Sequence, residues 1–265
     1  MARFFSSGAI EFGPWSPSKA GVLKDCPLKF ILQYVEKPKV SAEDTVVSDD
    51  TALVVGSAVH KYAENLVGGL DPASAATDAF STVPDTRKNK LTLRAQKRGI
   101  DGFIERMNKF KAANTVVLDQ AELRLSIDSD LKSVDFWDRK SALRGILDRV
   151  IIVERGGNKH AIAIDIKTGR PRDIETYSLQ LESYGIMLHS KFDLTSVSMA
   201  AYFSSSEELV WHPRKVKPAD ISESNPVFTT INALVETIDP HNYNVGKHCS
   251  WCNYRVICER ERIPF

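Results

Sequence analysis

The chain has 265 residues, 43% hydrophobic and 26% charged, enough apolar material for a core of ordinary size and too much for a disordered chain. Its net charge of +1 allows a nucleic-acid partner only through charge that is locally concentrated. No apolar run can span a bilayer, and Met1 to Phe12 lacks the basic start and apolar stretch of a secretory signal, so the sequence reads as intracellular, cytoplasmic and without a membrane partner.

Ser16-Pro17 is a helix start, with serine as N-cap and proline at the first helical position. The pattern predicts a helix carrying Cys26, running to about Val35 and stopping before Pro38. A polar linker, Ser41 to Thr51, follows. A second helix is expected from near Val55 to the paired stop Gly68-Gly69, and Asp71-Pro72 opens a third. A long basic helix is expected over Arg87 to Ala113.

Strands are then expected at Val116 to Ile127, Ala142 to Glu154 and His160 to Lys167, from their β-branched content and alternation. Tyr177 to Leu188 reads as a helix, Val197 to Phe203 and Leu209 to His212 as two strands, and Asp220 to Ile238 as a helix. There is no internal repeat, and no G-x-x-x-x-G-K-[ST] motif, so the chain is not itself an ATP-driven motor.

Two of these strands carry the chemistry. Arg144-Gly145-Ile146-Leu147-Asp148 and Ala163-Ile164-Asp165-Ile166-Lys167 flank Gly156-Gly157, a favoured two-residue hairpin turn. If those glycines are the turn centre, Arg155 faces Asn158, and counting outward sets Asp148 opposite Asp165. Like charges directly opposite repel, and a divalent cation would remove the penalty. Alternation puts Asp165 and Lys167 on one face, roughly 6.8 Å apart along the strand. Hard oxygen ligands of this kind suit Mg²⁺ or Mn²⁺, and Lys167 could orient an attacking water or stabilise a charged transition state. The competing reading is a solvated hairpin face with Ile164 and Ile166 beneath it.

Cys249-x-x-Cys252 followed by Cys258 has metal-ligand spacing, and Cys26 is the one cysteine left to complete a four-thiolate site. Reduced intracellular thiols favour a metal over disulfides. Zinc and an iron–sulfur cluster both fit, and His248 could compete for zinc. The alternative is that Cys26 is only a small buried hydrophobe. If all four ligate, the metal pins the first helix to the tail.

Together these residues resemble the RecB-like branch of the PD-(D/E)XK nucleases, in particular the small CRISPR-associated iron–sulfur exonucleases and their phage-encoded relatives. The likeness spans Ser16 to Cys258. It rests on six features in the family's order: Cys26 within Cys26-Pro27-Leu28-Lys29-Phe30, Gly56-x-x-x-His60, Gly145-x-x-Asp148, Asp165-x-Lys167, Gln180-x-x-x-Tyr184, and the C-x-x-C-x5-C tail. Leu147 stands where the superfamily's proline would be, and the second carboxylate is Asp165 rather than Glu; the family pattern admits both.

The resemblance implies an α/β fold, a mixed sheet flanked by helices with a restriction-endonuclease-like core and a helical section over the site. One nuclease domain would cover residues 1–265, with a helical part over 16–113, a catalytic core over about 115–240, and a tail over 242–265 closing on Cys26. It implies that His60, Asp148, Asp165 and the Ile166 carbonyl bind the catalytic Mg²⁺ or Mn²⁺ and that Lys167 is the catalytic lysine. Gln180 and Tyr184 would position DNA, and Cys26, Cys249, Cys252 and Cys258 would hold a [4Fe–4S] cluster. The activity implied is exonucleolytic on DNA, with preference for single-stranded ends, in recombination, end processing or spacer acquisition, with a helicase or integrase-type partner conceivable. A flap endonuclease on the same fold and a non-catalytic DNA-binding subunit are the alternatives.

Some assignments have local support and some stay open. Gly56, His60 and Glu64 share a helical face, where the glycine would permit close approach to the hairpin, although a lone histidine there is more often a surface residue. Glu122 either joins the acidic cluster or pairs with Arg124 or another base. Arg87, Lys88, Lys90, Arg94, Lys97 and Arg98, with Arg214, Lys215 and Lys217, are either phosphate contacts or a solvated face. Phe103 and Phe110 read as core rather than base-stacking residues.

Overall fold

The computed structural model describes residues 4–40 and 51–261. Five strands form one sheet in the order β1-β2-β3-β4-β5: β1 Thr115–Ile127, β2 Leu143–Arg155, β3 Asn158–Lys167, β4 Ser196–Phe203 and β5 Glu208–Trp211. All neighbours are antiparallel except β3 and β4, whose parallel pairing requires a crossover. That crossover contains helix α7, Ser178–Lys191.

Alternation along β3 assigns the two faces. Ala161 and Ala163 join a core with Trp15, Tyr184, Met187 and Phe228, which comes from α7 and from α1 (Ser7–Glu11), α2 (Pro17–Asp25) and α8 (Pro226–Val235). Ile164 and Ile166 join a second core with Val59, Tyr62, Ala79 and Phe103, from α4 (Thr51–Val67), α5 (Pro72–Phe80) and α6 (Arg87–Ala112). A sheet covered by helices on both faces is the expected α/β arrangement. A third, small cluster joins Cys26, Leu28 and Leu32 to Tyr243, Tyr254 and Ile257 near the C-terminus.

The glycine hairpin forms as expected: Gly156 and Gly157 have φ of 56° and 78°, and Arg155 pairs with Asn158. Both torsions lie in the left-handed region that a primed two-residue turn needs. The Asp71 carboxylate caps α5, and α6 spans nearly the predicted range behind its N-cap Thr86.

Two predicted helices are corrected. The helix from Ser16 does not reach Val35: α2 ends at Asp25, Cys26 is extended (φ −161°, ψ 111°), and α3 (Pro27–Phe30) restarts behind it, continuing as a π-helical turn over Ile31–Glu36. The cause is Pro27, which disfavours helical backbone in the residue before it. Cys26 therefore sits at a helix junction rather than inside a helix. The helix predicted from Asp220 begins only at Pro226, behind the N-cap Asn225; a separate 3₁₀ turn covers Pro218–Asp220. The same proline rule acts at Asn225. Most of the linker predicted from Ser41 lies outside the described residues.

Candidate active site

Asp148 and Asp165 meet where the β2–β3 hairpin opens. The ladder runs from Arg155↔Asn158 to Arg149↔Ile164 in the predicted register but stops one step short of pairing Asp148 with Asp165. The expectation of directly opposed carboxylates is corrected accordingly. The Ile166 N–H instead donates to Asp148 Oδ2 at 2.6 Å, so Asp148 takes the place of backbone at the open end. Asp165, only 2% exposed, points to the α7 side of β3, and Lys167 shares that face with its Nζ 2.7 Å from Asp165 Oδ2.

Helix α7 supplies the next layer. Gln180 Nε2 donates to Asp165 Oδ1 at 2.7 Å and to Tyr184 Oη at 2.7 Å, while Lys167 Nζ donates to Gln180 Oε1 at 3.0 Å. One amide thus fixes both the carboxylate and the ammonium. The Tyr184 hydroxyl also reaches Asp165 Oδ1 at 3.4 Å. Gly145 lets the helix lie this close: a Cβ there would stand 2.8 Å from Met187 Cε and 3.1 Å from Tyr184 Cε1.

The opposite side comes from α4 and β1. His60 Nδ1 lies 3.2 Å from Asp148 Oδ1 and 4.0 Å from Glu122 Oε1. His60, Glu122 and Asp148 each offer a donor atom, and these lie within 4.8 Å of one another, close enough to share one ion. Glu122 thus both joins the acidic cluster and faces a base, His60; Arg124 turns instead to the Phe136 ring, 5.9 Å away. Glu122 has a φ of 49° in the middle of a strand, a left-handed torsion that costs a non-glycine residue about 1–3 kcal/mol. Gly56 has a lesser role than expected: a Cβ there would make only an ordinary 3.6 Å contact with Thr168 Oγ1.

The charges are out of balance without a cation. Burial, then the charge of Asp148, pushes Asp165 up to about 6. Burial and the same neighbour also raise Glu122. Burial pulls His60 down, but its hydrogen bond to Asp148 and the surrounding carboxylates outweigh this and raise it to about 9. Asp165 Oδ2 is buried with no aligned hydrogen-bond donor. Carboxylates gathered this closely, beside an imidazole and an oriented lysine, fit a hard divalent cation such as Mg²⁺ or Mn²⁺.

All these groups line adjoining cavities, the larger a cleft of about 580 Å³ that holds His60, Asp148, Asp165, Ile166, Lys167, Gln180 and Tyr184. Glu122 lines the neighbouring one with His60 and Asp148. The cleft is also walled by Phe136, Trp137 and Arg144, none of which the sequence singled out as a site residue. They lie in or just after the β1–β2 connection, where nothing in the local pattern signals a binding role.

The basic segment on α6 is partly neutralised. Lys90, Lys97 and Arg98 pair with Asp85, Asp101 and Glu207 at 2.6, 2.6 and 3.0 Å. Lys88 borders a groove that it shares with Thr168 and Gly169, next to the cleft. Arg214 pairs with Glu182 at 3.5 Å. Phe103 stacks on Tyr202 in the core, and Phe110 is half-buried.

The four cysteines line one cavity of about 390 Å³, remote in sequence from the carboxylates and walled by Leu28, Tyr243 and Tyr254. Burial and the mutual proximity of Cys26, Cys252 and Cys249 push the Cys258 thiol up to about 11. Backbone N–H groups of Lys29 and Gly246 donate to Cys26 Sγ and Cys249 Sγ, each at 3.5 Å. Among the described residues no three of the sulfurs come within 4.8 Å of one another. His248 Nε2 donates to the Asn244 carbonyl oxygen at 2.8 Å.

A family model described as the PD-(D/E)XK nuclease superfamily matches residues 14–259, nearly the whole chain. No curated protein matches it.

Proposed function

The chain belongs to the PD-(D/E)XK nuclease superfamily, and from that premise we propose that it is a divalent-metal-dependent exonuclease acting on DNA ends, with preference for single strands. The observation that carries this reading is the convergence of His60, Glu122, Asp148, Asp165 and Lys167 on two adjoining cavities, with three carboxylates facing one imidazole and one ammonium. A binding subunit without catalysis has no need to gather three carboxylates around one imidazole and an ordered lysine.

His60, Asp148, Asp165 and the Ile166 carbonyl would hold the metal, with Glu122 as a further acidic donor. When bound, the cation supplies charge to the scissile phosphate and lowers the pKa of a water. The protein's own part is orientation. Gln180 fixes Asp165 and Lys167 together, so the ammonium is held beside the acid pair before substrate arrives. Lys167, with its Nζ also 4.7 Å from the Tyr177 ring centre, can direct the attacking water and offset charge that develops on phosphate oxygens. Tyr184 keeps Asp165 from rotating and walls the cleft beside the strand.

Cys26, Cys249, Cys252 and Cys258, which line one cavity, would hold a [4Fe–4S] cluster. The cluster would tie the α2–α3 junction to α9 (Arg255–Glu261) and make a single domain of the chain. The reading places the protein with the CRISPR-associated and phage-encoded iron–sulfur exonucleases, in end processing, recombination or spacer acquisition.

The test is to purify the protein anaerobically and incubate it, and its Lys167→Ala variant, with end-labelled single-stranded DNA and Mn²⁺. Brown protein that releases nucleotides from the ends, with an inactive variant, supports the reading. Internal cuts would move it to an endonuclease. No cleavage by the parent with any divalent metal would remove it.

A further inference from the structure

An aromatic pair stands at the mouth of the cleft. The β1–β2 connection, residues 128–142, is long for a hairpin and is pinned at its base: the Val134 and Ala142 N–H groups donate to the Ser126 and Ile127 carbonyls, and Ser126 Oγ bonds Ser141 Oγ at 2.7 Å. Long ordered connections of this kind are commonly functional. This one carries Phe136 and Trp137, whose rings meet edge-to-face at 5.0 Å. Arg144 lies against both, its guanidinium carbon 4.9 Å from the Trp137 centroid and 5.4 Å from that of Phe136. Yet Trp137 remains 72% exposed while it lines the same cleft as Asp148, Asp165 and Lys167. A large indole held in place by cation–π contact but left open to solvent is costly to hydration unless something covers it.

We propose that Trp137, backed by Arg144, is a stacking platform for an unpaired nucleobase of the DNA strand whose phosphate enters the acidic site. The inference rests on the nuclease reading and assigns a residue to its preference for single strands. The chemistry is specific to a base: the free indole surface offers a π-face, the adjoining Arg144 and Lys167 offer positive charge to flanking phosphates, and the cleft's volume suits a nucleotide-sized group. In a duplex the bases are stacked on each other and present only edges, so Trp137 discriminates for single strands. Trp137 is thus a positioning residue; it sets which strand reaches the metal, not the chemistry there.

Binding separates this from cleavage. With Ca²⁺ in place of Mn²⁺, labelled oligothymidylate, the same strand with abasic sites and a blunt duplex are titrated into the parent, Trp137→Ala and Trp137→Phe proteins. The alanine variant should bind oligothymidylate about 5- to 150-fold more weakly, the loss of one stacked base. Trp137→Phe should retain most of the affinity while losing the fluorescence quenching that the parent shows on binding. The abasic strand should bind the parent as weakly as oligothymidylate binds Trp137→Ala, and its affinity should not change between the two proteins. Equal affinity of the parent and Trp137→Ala for oligothymidylate overturns the platform, even if both cleave DNA with Mn²⁺. So does an equal loss for abasic and normal strands, which would mark an effect on fold or charge. A base-dependent loss in a protein that cleaves nothing upholds the platform and removes the nuclease reading instead.

Discussion

The sheet end and the cysteine pocket are built on opposite physical plans. At the sheet end, one buried carboxylate and several half-buried charged groups from the middle of the chain are oriented by neighbours from four elements: α4, β1, the hairpin and α7. Its geometry comes from the protein. In the pocket, the donors come from the two ends of the described chain and rest on a small cluster of Leu28, Leu32, Tyr243 and Tyr254. On the proposed reading, a cofactor completes its geometry. The difference teaches that one site spends stability on preorganisation, while the other, on the proposed reading, supplies stability once filled.

Breaking each site should therefore break a different property. Lys167→Ala should lower kcat by about 10²- to 10⁴-fold, the range for losing a positioned proton-transfer or electrostatic group. Its melting temperature should stay within a few degrees of the parent's, because the side chain reaches solvent and the core beneath it is unchanged. Single-turnover kinetics and a thermal melt distinguish the two. Cys258→Ser should do the reverse. It should remove visible absorption and cost about 3 kcal/mol or more, some 6–12 °C for a chain of this size. The rate per folded molecule, measured well below that transition, should change far less than for Lys167→Ala.

Two smaller effects sharpen the account of the sheet end. Glu122→Gly should relax the left-handed torsion and raise the stability of the metal-free protein by about 0.5–1 kcal/mol. It should also weaken Mn²⁺ binding about 10- to 100-fold, as loss of a supporting ligand does. A variant that is both more stable and less able to bind metal would identify the strain as functional; calorimetric titration and melting measure both. The pH dependence should also have opposite signs with and without metal. His60 is raised to about 9 from 6.5, so the metal-free fold holds its proton more tightly than the unfolded chain does. That stabilisation is complete below pH 6.5 and is lost as pH rises toward 9. Asp165, raised to about 6, adds the same sign between about pH 4 and 6. Metal must displace these protons, so Mn²⁺ affinity should rise about tenfold per unit between pH 7 and 9. An affinity flat over that range would mean that His60 does not ligate.

The long helix α6, the glycine hairpin and its register, and the candidate residues spaced as Asp165-x-Lys167 and Gln180-x-x-x-Tyr184 were all legible in the sequence. Each is a local property: periodicity, turn torsions and i, i+2 or i, i+4 spacing depend on residues near in the chain. The break at Cys26 was legible too, from Pro27, and the helix pattern around it masked the signal. What only the tertiary structure decided was convergence. Glu122 had two partners open to it on paper, and the strained torsion that turns it toward His60 and Asp148 is imposed by β1 packing against both β2 and α4. The stop in the β2–β3 ladder, the contact of Gly145 with Tyr184, and the reach of Trp137 over the same cleft likewise depend on elements far apart in sequence. Composition and spacing specify which side chains can do chemistry; which of them share one cleft is set by how helices close on the two faces of the sheet.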